Sequence, residues 1–73
     1  MAKVTLEPKV NDYQNQVIKD RDARTNELKE LDAFIESEPF KLIGDKSQTL
    51  LQRQSAIMHD LVGVLNARIA LFV

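Results

Sequence analysis

The chain has no cysteine and no tryptophan, and only two glycines and two prolines. Without cysteine there is no disulfide and no thiolate metal site, which fits a reducing compartment. The lone histidine, His59, does not build a metal site, and no carboxylate spacing offers it co-ligands. An excess of one charge is missing too. Ten Lys and Arg stand against eleven Asp and Glu, for a formal net charge of −1. A general nucleic-acid binder carries a basic excess, so that class is set aside. No glycine-rich phosphate loop, zinc ligand set or nucleotide fingerprint occurs. No serine or cysteine nucleophile is placed with the histidine. No catalytic residue, metal or cofactor is therefore assigned, and a non-enzymatic protein is expected. The apolar runs are far too short to span a bilayer, and the first ten residues lack the apolar core of a signal peptide. The expectation is a soluble, cytoplasmic protein with no membrane partner.

Seventy-three residues make one small domain at most. A chain this short buries a modest share of its surface and needs a disulfide, a metal or a partner to be stable. With the first two excluded, self-association is the stabiliser left.

What is present is a long amphipathic stretch, Gln48 to Phe72. Leu51, Met58, Val62, Leu65, Ile69 and Phe72 recur at three-, four- and seven-residue steps and share one helical face. Leu50, Ile57, Leu61, Val64 and Leu71 form a second stripe beside the first. One partner helix covers one stripe, so this helix wants more than one neighbour.

Upstream, residues 1–10 alternate apolar and polar at Val4 and Leu6 until Pro8 interrupts, which predicts an extended N-terminal arm, with a frayed terminus as the plainer reading. Asn11 or Asp12 suits a helix cap. A helix is expected over residues 11–37, apolar at Val10, Tyr13, Val17 and Ile18 near one end and at Leu28, Leu31, Phe34 and Ile35 near the other. Between these lies a polar middle, Lys19 to Glu27, supported by four-residue charge pairs such as Asp20 with Arg24. Pro39 ends the helix. A connection over residues 38–45 carries Phe40, Leu42 and Ile43, expected to fold back as a plug. Gly44 permits the turn, and Asp45 or Ser47 suits the cap of a second helix over residues 46–72. Gly63 within that helix suits a close helix–helix contact.

Short connections make consecutive helices antiparallel neighbours. The fold class is thus all-α, an antiparallel two-helix hairpin with its turn centred near Lys41. The second helix has more apolar surface than the first can match, so a four-helix-bundle-like dimer or a higher assembly should complete the fold. The expected subunit interface is Leu61, Val64, Leu65, Arg68, Ile69, Leu71 and Phe72, with Arg68 snorkelling or pairing with a carboxylate of another copy.

The polar middle is the best candidate for a site. Arg21 and Arg24 lie three apart on one face, at the level of Gln54, His59 and Asp60 in the hairpin. Arginine forks bind phosphate or carboxylate in bidentate fashion. The same residues also suit a solvated face, since Asp20 and Asp22 can neutralise both arginines. His59 and Asp60 point about 100° apart on a helix, so Asp60 does not orient His59. Tyr13, near a helix start, suits stacking on a base or closing a core edge.

Leu31, Phe34, Ile35, Phe40, Leu50, Leu51, Gln54, Met58, Arg68 and Ile69 together resemble a pattern found in a group of small helical-hairpin proteins of tailed phages and prophages. The likeness covers about Val17 to Phe72, and departs at Leu61, near which an aromatic is common in that group. It implies phage origin and hairpin shape; the group has no settled activity. Tyr13 and Lys29 loosely resemble an aromatic and a lysine of oligomeric phage counter-defence proteins that sequester cyclic nucleotide immune signals, although the flanking motif of that family is absent.

These readings imply a phage-type accessory binder, most concretely an oligomer holding a cyclic nucleotide or similar signal between subunits. Arg21, Arg24, Tyr13, Gln54 and His59 are the candidate ligand contacts. The alternatives are an inhibitor that docks on a host defence protein through Phe40, Glu36 and Glu38, and a structural protein of the phage particle.

Overall fold

A computed structural model of the chain describes the backbone of residues 2–72 and the side chains of residues 11–72. Two helices, α1 (Ala2–Ile35) and α2 (Asp45–Ala70), are joined through a 3-10 turn at Pro39–Leu42. They pack side by side as an antiparallel hairpin, with no strand among the described residues.

The extended arm is a correction: α1 runs from Ala2 without a break. A period-two alternation forms a strand only where a neighbouring strand pairs with it, and none exists here. A helix satisfies its own backbone, and Pro8 removes a single amide donor from it. The side chains of residues 1–10, including the expected core position Val10, lie outside the described residues.

At its far end α1 stops two residues short of the expected Ser37. The Ser37 amide and hydroxyl both donate to the Phe34 carbonyl, at 2.9 and 2.5 Å. Pro39 then opens the 3-10 turn, where its fixed φ and missing N–H cost nothing. Gly44 has φ of +91°, a conformation that L side chains rarely adopt, and serves as the N-cap of α2. The expected Asp45 or Ser47 cap is thus corrected: no side chain caps α2, and Asp45 instead lies in its first turn, where a carboxylate complements the helix dipole. The plug is also smaller than expected. Phe40 alone folds back, buried edge-on against Phe34, while Leu42 is 84% exposed and Ile43 lies at the surface.

Buried between the helices are Val17, Leu28 and Leu65, with Phe40 closing the turn end. Every member of the first α2 stripe is half-buried or buried, and every member of the second is exposed. The split follows from spacing: the two sets lie on adjacent faces of one helix, and α1 covers only one of them. Leu65, at 2% exposed, is the most completely buried residue of the core, and Ile69 and Phe72 lie beside it. Of the expected interface residues these three are the ones that α1 covers, Leu65 fully and the other two in part. Leu61, Val64, Arg68 and Leu71 remain outside.

Gly63 makes no close contact within the chain: a Cβ placed there meets nothing within 4 Å. It lies on the back of α2, away from α1.

The molecule is a rod of 59 × 16 × 16 Å with a radius of gyration of 17.4 Å. A compact chain of this length has about 11 Å. Its accessible surface is 5800 Å², against about 4,600 Å² for a compact monomer of 8.3 kDa.

Two substitutions on α2 separate its faces. Leu65→Ala opens the core and should lower unfolding free energy by about 2–4 kcal/mol in chemical denaturation. Gly63→Ala meets no neighbour and should raise it by about 0.5–1 kcal/mol through helix propensity.

Candidate functional site

Among the described residues three polar ties cross the hairpin outside its apolar core. Near the turn, Asp32 on α1 accepts from the Ser55 hydroxyl at 2.5 Å, and its other oxygen meets His59 Nε2 at 2.9 Å. Ser55 and His59 are four residues apart, so both reach the same α1 side chain. Midway, Arg21 donates to the Asn66 amide oxygen at 2.8 Å. At the open end, Arg68 donates to the Tyr13 hydroxyl at 2.6 Å.

The ties do not share one centre. Arg21 with Asn66 and Asp32 with Ser55 are centred between Ile43 and Gly44, whereas Arg68 with Tyr13 is centred between Phe40 and Lys41, close to the sequence expectation. Near the turn His59 meets Asp32, a partner the expected pairing did not offer.

The Ser55–Asp32–His59 arrangement has the wrong order for nucleophilic catalysis. The carboxylate stands between the hydroxyl and the imidazole, so the histidine does not take the serine proton. Hydrogen bonds from Ser55, foremost, and from His59 hold the Asp32 carboxyl below its ordinary value of 3.8, against an opposing effect of burial. The arrangement acts as a clasp.

The sequence-predicted site residues are not gathered in one place. Arg24 is held by Glu27 at 3.1 Å and Asp20 at 3.5 Å, with its Nε buried against α1 and lacking hydrogen-bond alignment. Gln54 turns toward the Met58 sulfur, and His59 is engaged by Asp32. Arg21 is shared between Asn66 and its neighbour Asp22.

Tyr13 belongs to a different constellation. It lines a cleft of about 470 Å³ with Gln16, Val17, Lys19, Asp20 and Arg68, open to solvent along one side. The hollow is shallow, nearer to an open surface than to an enclosed cavity. Phe72 meets the Tyr13 ring edge-on, with centroids 6.1 Å apart. Among the described residues, neither Lys19 nor Arg68 lies within ion-pair reach of a carboxylate; Asp20, the acid in the cleft, is turned to Arg24. One aromatic ring and two cations with no counter-ion among the described residues therefore share one hollow. Sequence reasoning placed Arg68 in a subunit interface and gave Lys19 no role. The available signal was Arg68 interrupting an apolar stripe opposite the only tyrosine.

Two other hollows lie at the turn end, and both are predominantly apolar. Leu50 lines each, with Asp45, Lys46 and Thr49 in one and with Phe34, Ile43, Ser47 and Leu51 in the other. Among the described residues no helix is long and apolar enough to cross a membrane, and no cluster of three or more metal-ligating side chains occurs.

The model of a family described as Sequestin matches residues 11–71, which takes in α1 from Asn11 onward, the turn, α2 and every residue of the cleft. No curated protein and no solved structure matches the chain.

The clasp carries a pH signature. A carboxyl held low in the folded state stabilises it above the unfolded value, and that contribution is lost as pH falls through the folded value. Unfolding free energy should therefore fall on acidification below 3.8, the ordinary carboxyl value. Asp32→Asn should be less stable than the wild type at pH 7 and show a shallower fall in acid, read by circular dichroism across a pH series.

Proposed function

The chain belongs to the Sequestin family, and we propose that it is a non-enzymatic protein that sequesters a nucleotide-like signal. The family's name speaks of sequestering. The observation that carries the ligand class is the open-end cleft: Tyr13 beside Arg68 and Lys19, with no carboxylate paired to either cation among the described residues. A ring suits a base, because bases stack on aromatic faces. Cations without counter-ions suit phosphate, and a guanidinium binds it with paired parallel hydrogen bonds. A cyclic nucleotide has both parts. Arg21, tied to Asn66, borders this region from α1 and is a secondary contact in the proposal; Arg24, Gln54 and His59, already engaged elsewhere, are given no part.

The cleft is open along one side. Arg68 itself belongs to the exposed α2 stripe with Leu61, Val64 and Leu71, so a second copy seated on that stripe would form the missing wall. The proposed binding unit is accordingly a homo-oligomer, with the ligand held between subunits. In biological terms we place the protein among phage counter-defence factors acting in the host cytoplasm, where an immune nucleotide would be withdrawn from its receptor. The competing reading, direct docking on a host defence protein, finds less support than the sequence gave it. Phe40 is buried, which leaves Leu42, Ile43 and Leu50 as the exposed apolar group at the turn.

A thermal-shift panel of cyclic mono- and dinucleotides tests the proposal. At a ligand concentration one hundred times Kd, stabilisation of about 2.7 kcal/mol is expected. Arg68→Gln should abolish the shift while His59→Gln keeps it. No shift with any member of the panel, or equal shifts in both variants, would contradict it.

A further inference from the structure

In the free protein the two groups best suited to hold a ligand hold each other. Arg68 Nη2 donates to the Tyr13 hydroxyl at 2.6 Å, and this is the one hydrogen bond that Arg68 makes among the described side chains. Resting on the nucleotide reading above, we propose that the Tyr13 hydroxyl is a built-in competitor of the ligand's phosphate. It occupies Arg68 while the cleft is empty and is displaced when an anion arrives.

The geometry of the pair supports an exchange rather than a block. The guanidinium carbon lies 5.8 Å from the centre of the Tyr13 ring. With Nη2 already at the hydroxyl, that distance puts the guanidinium out at the phenol rim, not stacked on the face. Phe72 touches the ring edge-on, at an interplanar angle of 61°. Tyr13 is 52% exposed. The ring thus keeps open surface for a base, and Phe72 can hold its position after Arg68 leaves.

The exchange favours the ligand for chemical reasons. A phenol offers Arg68 one neutral acceptor, whereas a phosphate offers two charged oxygens to a planar fork. The released hydroxyl, at the surface, is taken up by water at little cost. Among the described residues no carboxylate competes: Asp20, the acid of the cleft, faces Arg24 at 3.5 Å. The hydroxyl therefore lowers affinity for all anions and leaves a net gain only for those that grip Arg68 with more than one oxygen.

Tyr13→Phe separates the two roles of the side chain, since it keeps the ring and removes the competitor. The probes are cyclic di-adenosine monophosphate, which has bases and phosphates, and inorganic pyrophosphate, which has no ring. Calorimetric titration of Tyr13→Phe should give about three- to tenfold tighter binding of both probes than the wild type. Tyr13→Ala should gain for pyrophosphate and lose for the dinucleotide. Tyr13 is the only tyrosine and there is no tryptophan, so its fluorescence in the unmodified protein should also change on addition of pyrophosphate alone. If the wild type binds and Arg68→Gln does not, but Tyr13→Phe binds equally or more weakly, the competitor is overturned and the nucleotide reading stands. If neither probe binds wild type or Tyr13→Phe, both are overturned.

Discussion

A straight neighbour covers roughly a third of a helix's circumference, and α2 carries apolar residues over a wider arc than that. The structure follows from this constraint. Of the two stripes on α2, α1 takes Leu51, Met58, Val62, Leu65, Ile69 and Phe72. Leu50, Ile57, Leu61, Val64 and Leu71 stay in water. Two helices cannot do better: among the described residues no further helix or strand lies over them. The slender 59 Å rod and its large accessible surface are the geometric expression of that shortage.

The proposed site grows out of the same shortage. Where α1 and α2 are well matched, near the turn, the gap between them is filled by Leu28, Phe34 and Phe40. Toward the open end Val17 and Leu65 are buried between the helices, and two further polar ties bridge them. Arg21 reaches Asn66 there, and Arg68 reaches Tyr13. Arg68 sits within the exposed stripe and also on the cleft, so one residue joins the surface that would meet a second copy to the hollow that would hold a ligand. In the proposed assembly, packing and binding are therefore coupled: a ligand that engages Arg68 biases the interface around it, and the interface encloses the ligand.

Much of the architecture could be read from residue spacing. The two stripes of α2 were separable because three- and four-residue steps assign each position to a face, and the burial of each stripe follows that assignment. Pro39 and Gly44 marked the turn because their backbone requirements are local. What could not be read was register. Residue spacing says which face a side chain occupies, but not how far one helix has slid along another. Near the turn the ties between the helices are offset from the expected pairing, and with them the partner of His59. The N-terminal arm was misread because two alternating positions, Val4 and Leu6, carry too little information to distinguish a strand from a helix. Of the candidate site, Tyr13 and Arg21 were visible as isolated chemical handles. Arg24, Gln54 and His59 are each engaged by other neighbours, and the pairing of Arg68 with Tyr13 spans fifty-five positions that no local pattern connects.

The central claim is that this hairpin completes itself with another copy through the exposed stripe of α2. Light scattering coupled to size exclusion, across a dilution series and with circular dichroism on the same samples, tests it most directly. The account predicts a helical species at a whole multiple of 8.3 kDa, reduced to a single chain with loss of helix when Leu61 and Val64 are both changed to Glu. A fully helical species of 8.3 kDa at every concentration would contradict it.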